Sequence, residues 1–275
     1  MEPGTSIATV PGGTLNVAAW PGPGPTIVAL HGFTLRGSMW GEVAATRRCL
    51  APDLPGHGGS DLTPVTMETT VAALAAWLSG IDDVGAVVGY SMGGRVALHL
   101  ALLHPHLVPR LLLVSSGLGI SDGDERAVRR AEDEGRASRI VQGGVEAFID
   151  AWIDHPVAGT GRVLRGRRAQ DRAARRGHDA RRLAAALRGL GASNHEPLHD
   201  QLGSLAMPST WMAGEEDPPY AAIATFAAAQ SGGSVVIVPG AGHNLVLETP
   251  DAVAAALDAL RSRNPGQALR SRSPD

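Results

Sequence analysis

The sequence predicts an α/β protein with a mostly parallel central sheet flanked by helices and interrupted by a helical insertion. Three observations carry this expectation. Short apolar, β-branched runs alternate with helix-period segments through the first 120 residues. From Ser121 to about Gln201 the strand pattern stops, and the chain reads as helical and crowded with arginine. At Met207 the strand–helix rhythm returns and continues to Arg261.

The elements follow in order. Ile7–Val10, Leu15–Ala19 and Thr26–Leu30 read as strands separated by Pro-Gly turns. Arg48–Pro52 is a short strand, Met67–Leu78 a helix, and Val84–Val88 a small, apolar, buried-type strand. Arg95–His104 is a helix stopped by Pro105, and Arg110–Ser115 the next strand. Within the arginine-rich stretch, residues 161–190 hold ten Arg against Asp171 and Asp179. Strand Pro208–Ala213, helix Pro219–Gln230, strand Ser234–Val238 and helix Pro250–Arg261 complete the pattern. The expected organisation is a core of residues 1–120 and 202–264, a helical cap of residues 121–201, and a flexible tail of residues 265–275.

Composition narrows the classes of function. At 275 residues and 44% hydrophobic, the chain is long and apolar enough to bury a substantial core. A net charge of −3 offers no global attraction for nucleic acid or membrane. All 24 basic residues are arginine. The single cysteine, Cys49, excludes an intramolecular disulfide and reads as a buried thiol. The N-terminus lacks the charged and apolar regions of a signal peptide, and no apolar run approaches the ~18 residues of a membrane span. The cytoplasm is the expected compartment. No H-E-x-x-H or Cys/His cluster is present, so neither metal nor cofactor is expected.

The chemistry concentrates at Gly89-Tyr90-Ser91-Met92-Gly93, a G-x-S-x-G sequence between a strand and a helix. A chain turning at once from strand to helix leaves no room for side chains two positions either side of the serine. It also lifts the hydroxyl above the carboxyl edge of the sheet, where ligands bind in open α/β folds. A hydroxyl needs a base to become a nucleophile. His243, in Gly240-Ala241-Gly242-His243-Asn244 after a strand, is the candidate base. Asp217, after the strand ending at Ala213, is the candidate for orienting it, with Glu215 and Glu216 as competitors. Glu248 reads either as a further competitor or as a cap on the final helix. The main-chain N–H groups of Met92 and of Phe33, in Leu30-His31-Gly32-Phe33, are the candidate oxyanion-hole donors. His31 reads as a structural ring, and Asp53–Ser60 as a rigid turn in which His57 has no acid partner at recognisable spacing. Arg95 lies one helical turn after Ser91 on the same face, placed either to bind an acidic group or to pair with a core carboxylate.

Taken together, LHGF, DLPGHGGS, GYSMGG, GEED and GAGH, in that order, resemble the α/β-hydrolase superfamily over nearly the whole chain. LHGFT…W, GYSMGGR and RRGHDARRLAAALRGLG more narrowly resemble the 2-succinyl-6-hydroxy-2,4-cyclohexadiene-1-carboxylate synthases of menaquinone biosynthesis. The resemblance implies a Ser-His-Asp triad at Ser91, Asp217 and His243 that removes a proton and expels pyruvate. It also implies a small-molecule polycarboxylate substrate bound by Arg95, Arg129 and Arg175, with Tyr90 and Trp152 beside it. Departures include Val246 where the family often has a second histidine, and Ala158 where it often has an aromatic. The alternative is a serine hydrolase of a small ester or lactone; a binding protein without turnover is a third reading. The triad serves the first two equally, and arginines converging on the serine would favour the lyase.

Overall fold

A computed structural model describes residues 2–155, 158 and 165–262. The expected tail, residues 265–275, lies outside the described residues.

The strands are β1 (Gly4–Val10), β2 (Gly13–Trp20), β3 (Thr26–Leu30), β4 (Cys49–Pro52), β5 (Asp61–Leu62), β6 (Val84–Tyr90), β7 (Leu111–Val114), β8 (Ser209–Gly214) and β9 (Ser234–Val238). They form one sheet in the order β1-β2-β4-β3-β6-β7-β8-β9, with β5 paired to β2. β1, β2, β4 and β5 meet antiparallel, and every neighbour from β4 through β9 is parallel. The helices are α1 (Gly41–Ala44), α2 (Met67–Leu78), α3 (Met92–Leu103), α4 (Gly123–Trp152), α5 (Arg165–Arg176), α6 (Ala180–Leu190), α7 (Pro218–Ser231), α8 (Leu245–Glu248) and α9 (Pro250–Arg261).

The central strands are apolar throughout because both faces are covered. Val87, Leu111 and Leu113 pack on one side with Leu74 and Leu78 of α2, Val96 and Leu100 of α3, and Ala224 of α7. Their neighbours Ala86, Val88, Leu112 and Val114 point to the other side, against Val253 and Leu257 of α9. That alternation is the pleat of the strand read directly in side chains. Caps set the flanking helices. Thr66 closes a reciprocal capping box on α2 with Thr69. α7 begins on the Pro218-Pro219 pair and ends at Gly232 in the left-handed conformation.

The two-residue β5, α1 and α8 are too short to announce themselves by periodicity. α4, α5 and α6 occupy the connection between β7 and β8, where the sequence predicts helix. α4 is broken at Gly144, whose φ of 83° is non-helical. Ala137, Ile140, Phe148 and Ile149 of α4 pack with Leu183 and Leu187 of α6 into a separate apolar cluster, on which Phe33 and Trp152 rest. Cys49 is buried in β4, and burial pushes its thiol up to about 12, which disfavours the thiolate. Among the described residues no helix is long and apolar enough to cross a membrane.

Candidate active site

The turn from β6 into α3 has the close contacts that its glycines imply. Ser91 has φ 51° and ψ −110°. A Cβ on Gly89 would lie 2.4 Å from the Gly93 carbonyl oxygen, and one on Gly93 would lie 2.4 Å from the Leu30 oxygen. Neither position tolerates a side chain, so the strained serine is held by packing on both sides.

His243 lies on the loop between β9 and α8, and Asp217 at the point where β8 gives way to α7. His243 Nε2 is 3.1 Å from Ser91 Oγ, and His243 Nδ1 is 2.6 Å from Asp217 Oδ2. The carboxylate accepts from Nδ1–H, which leaves Nε2 free to accept the serine proton. Ser91 is 9% exposed and His243 3%. The other acids do different work. Glu215 accepts from the Gly240 N–H at 2.9 Å. Glu248 accepts from the N–H groups of Gly242 and Asn244 at 2.7 and 3.1 Å, bracketing the histidine, and Thr249 rather than Glu248 stands at the N-cap of α9. Tyr220 packs edge-on to His243 at 4.4 Å between ring centroids, and Tyr90 lies tilted to it at 5.6 Å.

Ser91 opens into a cavity of about 50 Å³ lined by Phe33, Met92, Arg95, Arg129, Asp133, Arg136, Trp152 and Tyr220, with Leu187, Leu190 and Gly191 of the insertion. Met92 is the first residue of α3, so its N–H has no partner within the helix. The Phe33 ring lies 5.9 Å from that of Trp152. Arg95 is buried; one guanidinium nitrogen donates to the Leu190 carbonyl at 2.8 Å, and its Nε has no acceptor among the described residues. Burial lowers Arg95 to about 10, so it keeps its charge at neutral pH. Among the described residues no core acid pairs with it, which leaves the acid-binding alternative standing. Asp133 is buried and accepts from Arg129 Nε at 2.9 Å and from Arg136 at 2.7 Å.

One expected residue stands elsewhere. Arg175 does not line the Ser91 cavity. It is buried against a second, larger cavity of about 410 Å³ on the other side of the loop that carries Thr34, Leu35 and Arg36. Its guanidinium donates to Asp171 at 2.6 Å, to Thr34 Oγ1 at 2.7 Å and to the Ala158 carbonyl at 3.4 Å. Asp171, one turn earlier on α5, neutralises it locally. Arg136, Asp133 and Tyr220 were not anticipated. The spacing 129/133/136 places Arg, Asp and Arg on one face of α4, and that is the signal that reveals the first two. His31 and the Asp53–Ser60 turn prove structural. His31 Nε2 accepts from the Leu54 N–H at 2.8 Å, and Asp53 accepts from Asn16, Gly37 and Gly59 at 2.8, 2.8 and 2.9 Å.

A strained serine between strand and helix, a histidine and a carboxylate at the same sheet edge define an α/β-hydrolase site, and residues 27–256 match the alpha/beta hydrolase family, to which the chain belongs. Within that class the chain is 30% identical over 259 residues to a Bacillus subtilis (strain 168) protein named as a putative 2-succinyl-6-hydroxy-2,4-cyclohexadiene-1-carboxylate synthase, with 90% of this chain and 94% of that one covered. It is 31% identical over 247 residues to the synthase of that name from Enterobacter sp. (strain 638), covering 85% and 90%. Among solved structures, MenH from S. aureus superposes with a TM-score of 0.82 at 25% identity, over 89% of this chain and 97% of that one. The enol-lactonase from Burkholderia xenovorans LB400 has a TM-score of 0.74 at 21% identity over 94% and 100%, and shares the fold. The protein is an enzyme whose relatives support a place in menaquinone biosynthesis.

Proposed function

We propose that the protein is a lyase of the 2-succinyl-6-hydroxy-2,4-cyclohexadiene-1-carboxylate synthase type, acting in the cytoplasm on a small polycarboxylate without a cofactor. Residues 121–201 form a cap over a core of residues 1–120 and 202–264. The observation that carries the reading is the Ser91–His243–Asp217 hydrogen-bonded chain opening onto three arginines, Arg95, Arg129 and Arg136.

Asp217 holds His243 with Nε2 toward Ser91, and His243 takes the hydroxyl proton as the serine oxygen removes a proton alpha to a substrate carboxylate. Negative charge spreads into a conjugated dienolate; when the C–O bond breaks its electron pair departs on pyruvate enolate, which takes up the proton held by His243. The main-chain N–H groups of Phe33 and Met92 and the Arg95 guanidinium receive that charge, and Arg129 and Arg136 anchor the remaining carboxylates. Asp133 keeps the two cap arginines from repelling each other while the site is empty. Trp152 forms an apolar wall of the cavity, and Tyr90, buried 5.6 Å from the His243 ring and outside the cavity lining, helps to keep water from the imidazole.

A serine hydrolase of a small ester or lactone uses the same three residues, and the shared fold of the enol-lactonase is compatible with it. Three guanidinium groups on one small cavity favour the acidic substrate. Side-by-side assays of pyruvate release from the menaquinone intermediate and of p-nitrophenyl acetate hydrolysis test the choice. Rapid pyruvate release with slow ester turnover is expected, and ester turnover without pyruvate release overturns the lyase.

A further inference from the structure

Thr34 directly follows Phe33, is fully buried, and has φ 67°. It stands at the third position of a turn closed by the Leu35 N–H donating to the Gly32 carbonyl at 3.1 Å. Positive φ there is ordinarily a glycine's conformation, and a β-branched residue holds it at a cost. Three side chains from two parts of the chain offset that cost. The Thr34 N–H donates to His57 Nε2 at 3.1 Å, its carbonyl accepts from His178 Nε2 at 2.8 Å, and its Oγ1 accepts from Arg175 at 2.7 Å. His57 comes from the loop after β4, whereas Arg175 and His178 come from the α5–α6 junction of the helical insertion.

The partners define the tautomers. The Gly58 N–H donates to His178 Nδ1 at 3.0 Å, so the proton of that ring lies on Nε2, aimed at Thr34. The His57 and His178 rings meet edge to face at 5.3 Å. Burial, the largest effect on each, lowers His178 to about 4 and holds His57 well below the usual imidazole range, so both are neutral at physiological pH.

We propose that His178 is a positioning residue for the oxyanion hole, clamping Thr34 from the helical insertion and thereby fixing the Phe33 N–H opposite Ser91. This rests on the reading of Ser91 as the reactive hydroxyl and Phe33 as an oxyanion donor, but not on the identity of the substrate. Small displacements matter at such a donor: a shift of about 1 Å costs up to ~100-fold in rate, and loss of a donor ~100- to 1000-fold.

The test follows the rate of Ser91 phosphonylation by a fluorophosphonate probe in the full chain, which requires the oxyanion hole and no natural substrate. His178→Asn keeps an acceptor for Gly58 at the Nδ1 position but falls short of Thr34. His178→Gln reaches Thr34 with an amide N–H but gives up the Gly58 contact. The expected result is that H178N slows labelling about 10- to 100-fold and that H178Q recovers most of that loss. In a Thr34→Gly background, where φ 67° carries no strain, H178N should lose markedly less. Wild-type labelling in H178N, equal losses in H178N and H178Q, or an undiminished loss in the glycine background each overturns the proposal. Should H178N not fold, Arg175→Gln probes the same clamp: slower labelling supports it and an unchanged rate overturns it. If the wild type labels readily but releases no pyruvate, the lyase reading falls and the clamp stands. A wild type that does not label at Ser91 removes the basis of both.

Discussion

Ser91 and Arg95 are one helical turn apart and have different duties, so their substitutions separate cleanly. Ser91→Ala removes only the hydroxyl from a residue held by its backbone, and turnover should fall below about 10⁻³ of wild type with folding intact. Near-normal turnover by steady-state assay would remove Ser91 from the reaction. Arg95→Ala should weaken binding of a polycarboxylate by about 2–5 kcal/mol, because the group is desolvated and one of its donors has no protein acceptor among the described residues. The change should appear mainly in KM, and an unaltered KM and kcat would place Arg95 outside the site. At this scale the triad was legible in the sequence, since glycine-flanked Ser91 and His243 and the chain order Ser…Asp…His are local facts. The fate of Arg175 was not. Its partners, Thr34 and the Ala158 carbonyl, are 141 and 17 residues away in the chain, and no spacing rule reaches them.

α4 carries the charged groups that the insertion brings to the site, beside Leu187 and Leu190 of α6. Its Arg129–Asp133–Arg136 face places one buried carboxylate between two guanidinium groups. Asp133→Asn strips Arg129 of its carboxylate and leaves Arg136 only the exposed Glu132, and should lower stability by about 1–3 kcal/mol, less than for a fully buried pair because Arg129 is partly solvated. A saturating dicarboxylate, succinate for example, should then raise the melting temperature of the variant more than that of the wild type. Equal ligand-induced shifts by differential scanning fluorimetry would show that Asp133 does not share its arginines with the ligand. The β6–α3 corner is tested at the same scale. Gly93→Ala places a methyl 2.4 Å from the Leu30 oxygen and 2.5 Å from the His31 oxygen. It should cost at least about 1–3 kcal/mol in urea denaturation, as overpacking does, and a neutral substitution would mean that the corner has slack. Strand–helix alternation announced the β6–α3 corner, and the helical pattern after Ser121 announced α4. The break at Gly144 did not show, because a glycine inside a helical pattern reads as a weakened helix until tertiary packing turns it into a corner.

Across the whole molecule, buried neutral histidines link stability to pH. Burial, foremost, lowers His178 to about 4 and His195 to about 3, against 6.5 for an unhindered ring. Between those values and 6.5 the unfolded chain binds protons that the folded chain does not. Stability is therefore fullest above pH 6.5 and falls as the pH drops toward 4, with each histidine contributing up to about 1.4 kcal/mol per pH unit. Unfolding at pH 5 should take up about two protons from this pair. A denaturation midpoint that stays flat between pH 7 and 5 would contradict the burial of these rings. The Ser91 cavity, at about 50 Å³, is well below the ~300 Å³ of an ordinary small-molecule site. A substrate of that size is therefore expected to displace the walls of the cavity, and fluorescence of Trp152 on one of them should change when a dicarboxylate binds. A signal identical in wild type and Trp152→Phe would argue that the wall does not move.

The sequence by itself determined the α/β layering, the strained serine, and the histidine and aspartate hydrogen-bonded in line with it. Each depends on short-range sterics or on a period of two or 3.6, which a local window contains. Only the tertiary structure decided which arginines converge, that Asp133 stands between two of them, and that His178 reaches Thr34 across 144 residues to brace the loop beside Ser91. Those pairings depend on how the helical insertion settles on the sheet, a matter of three-dimensional packing that no pattern along the chain encodes.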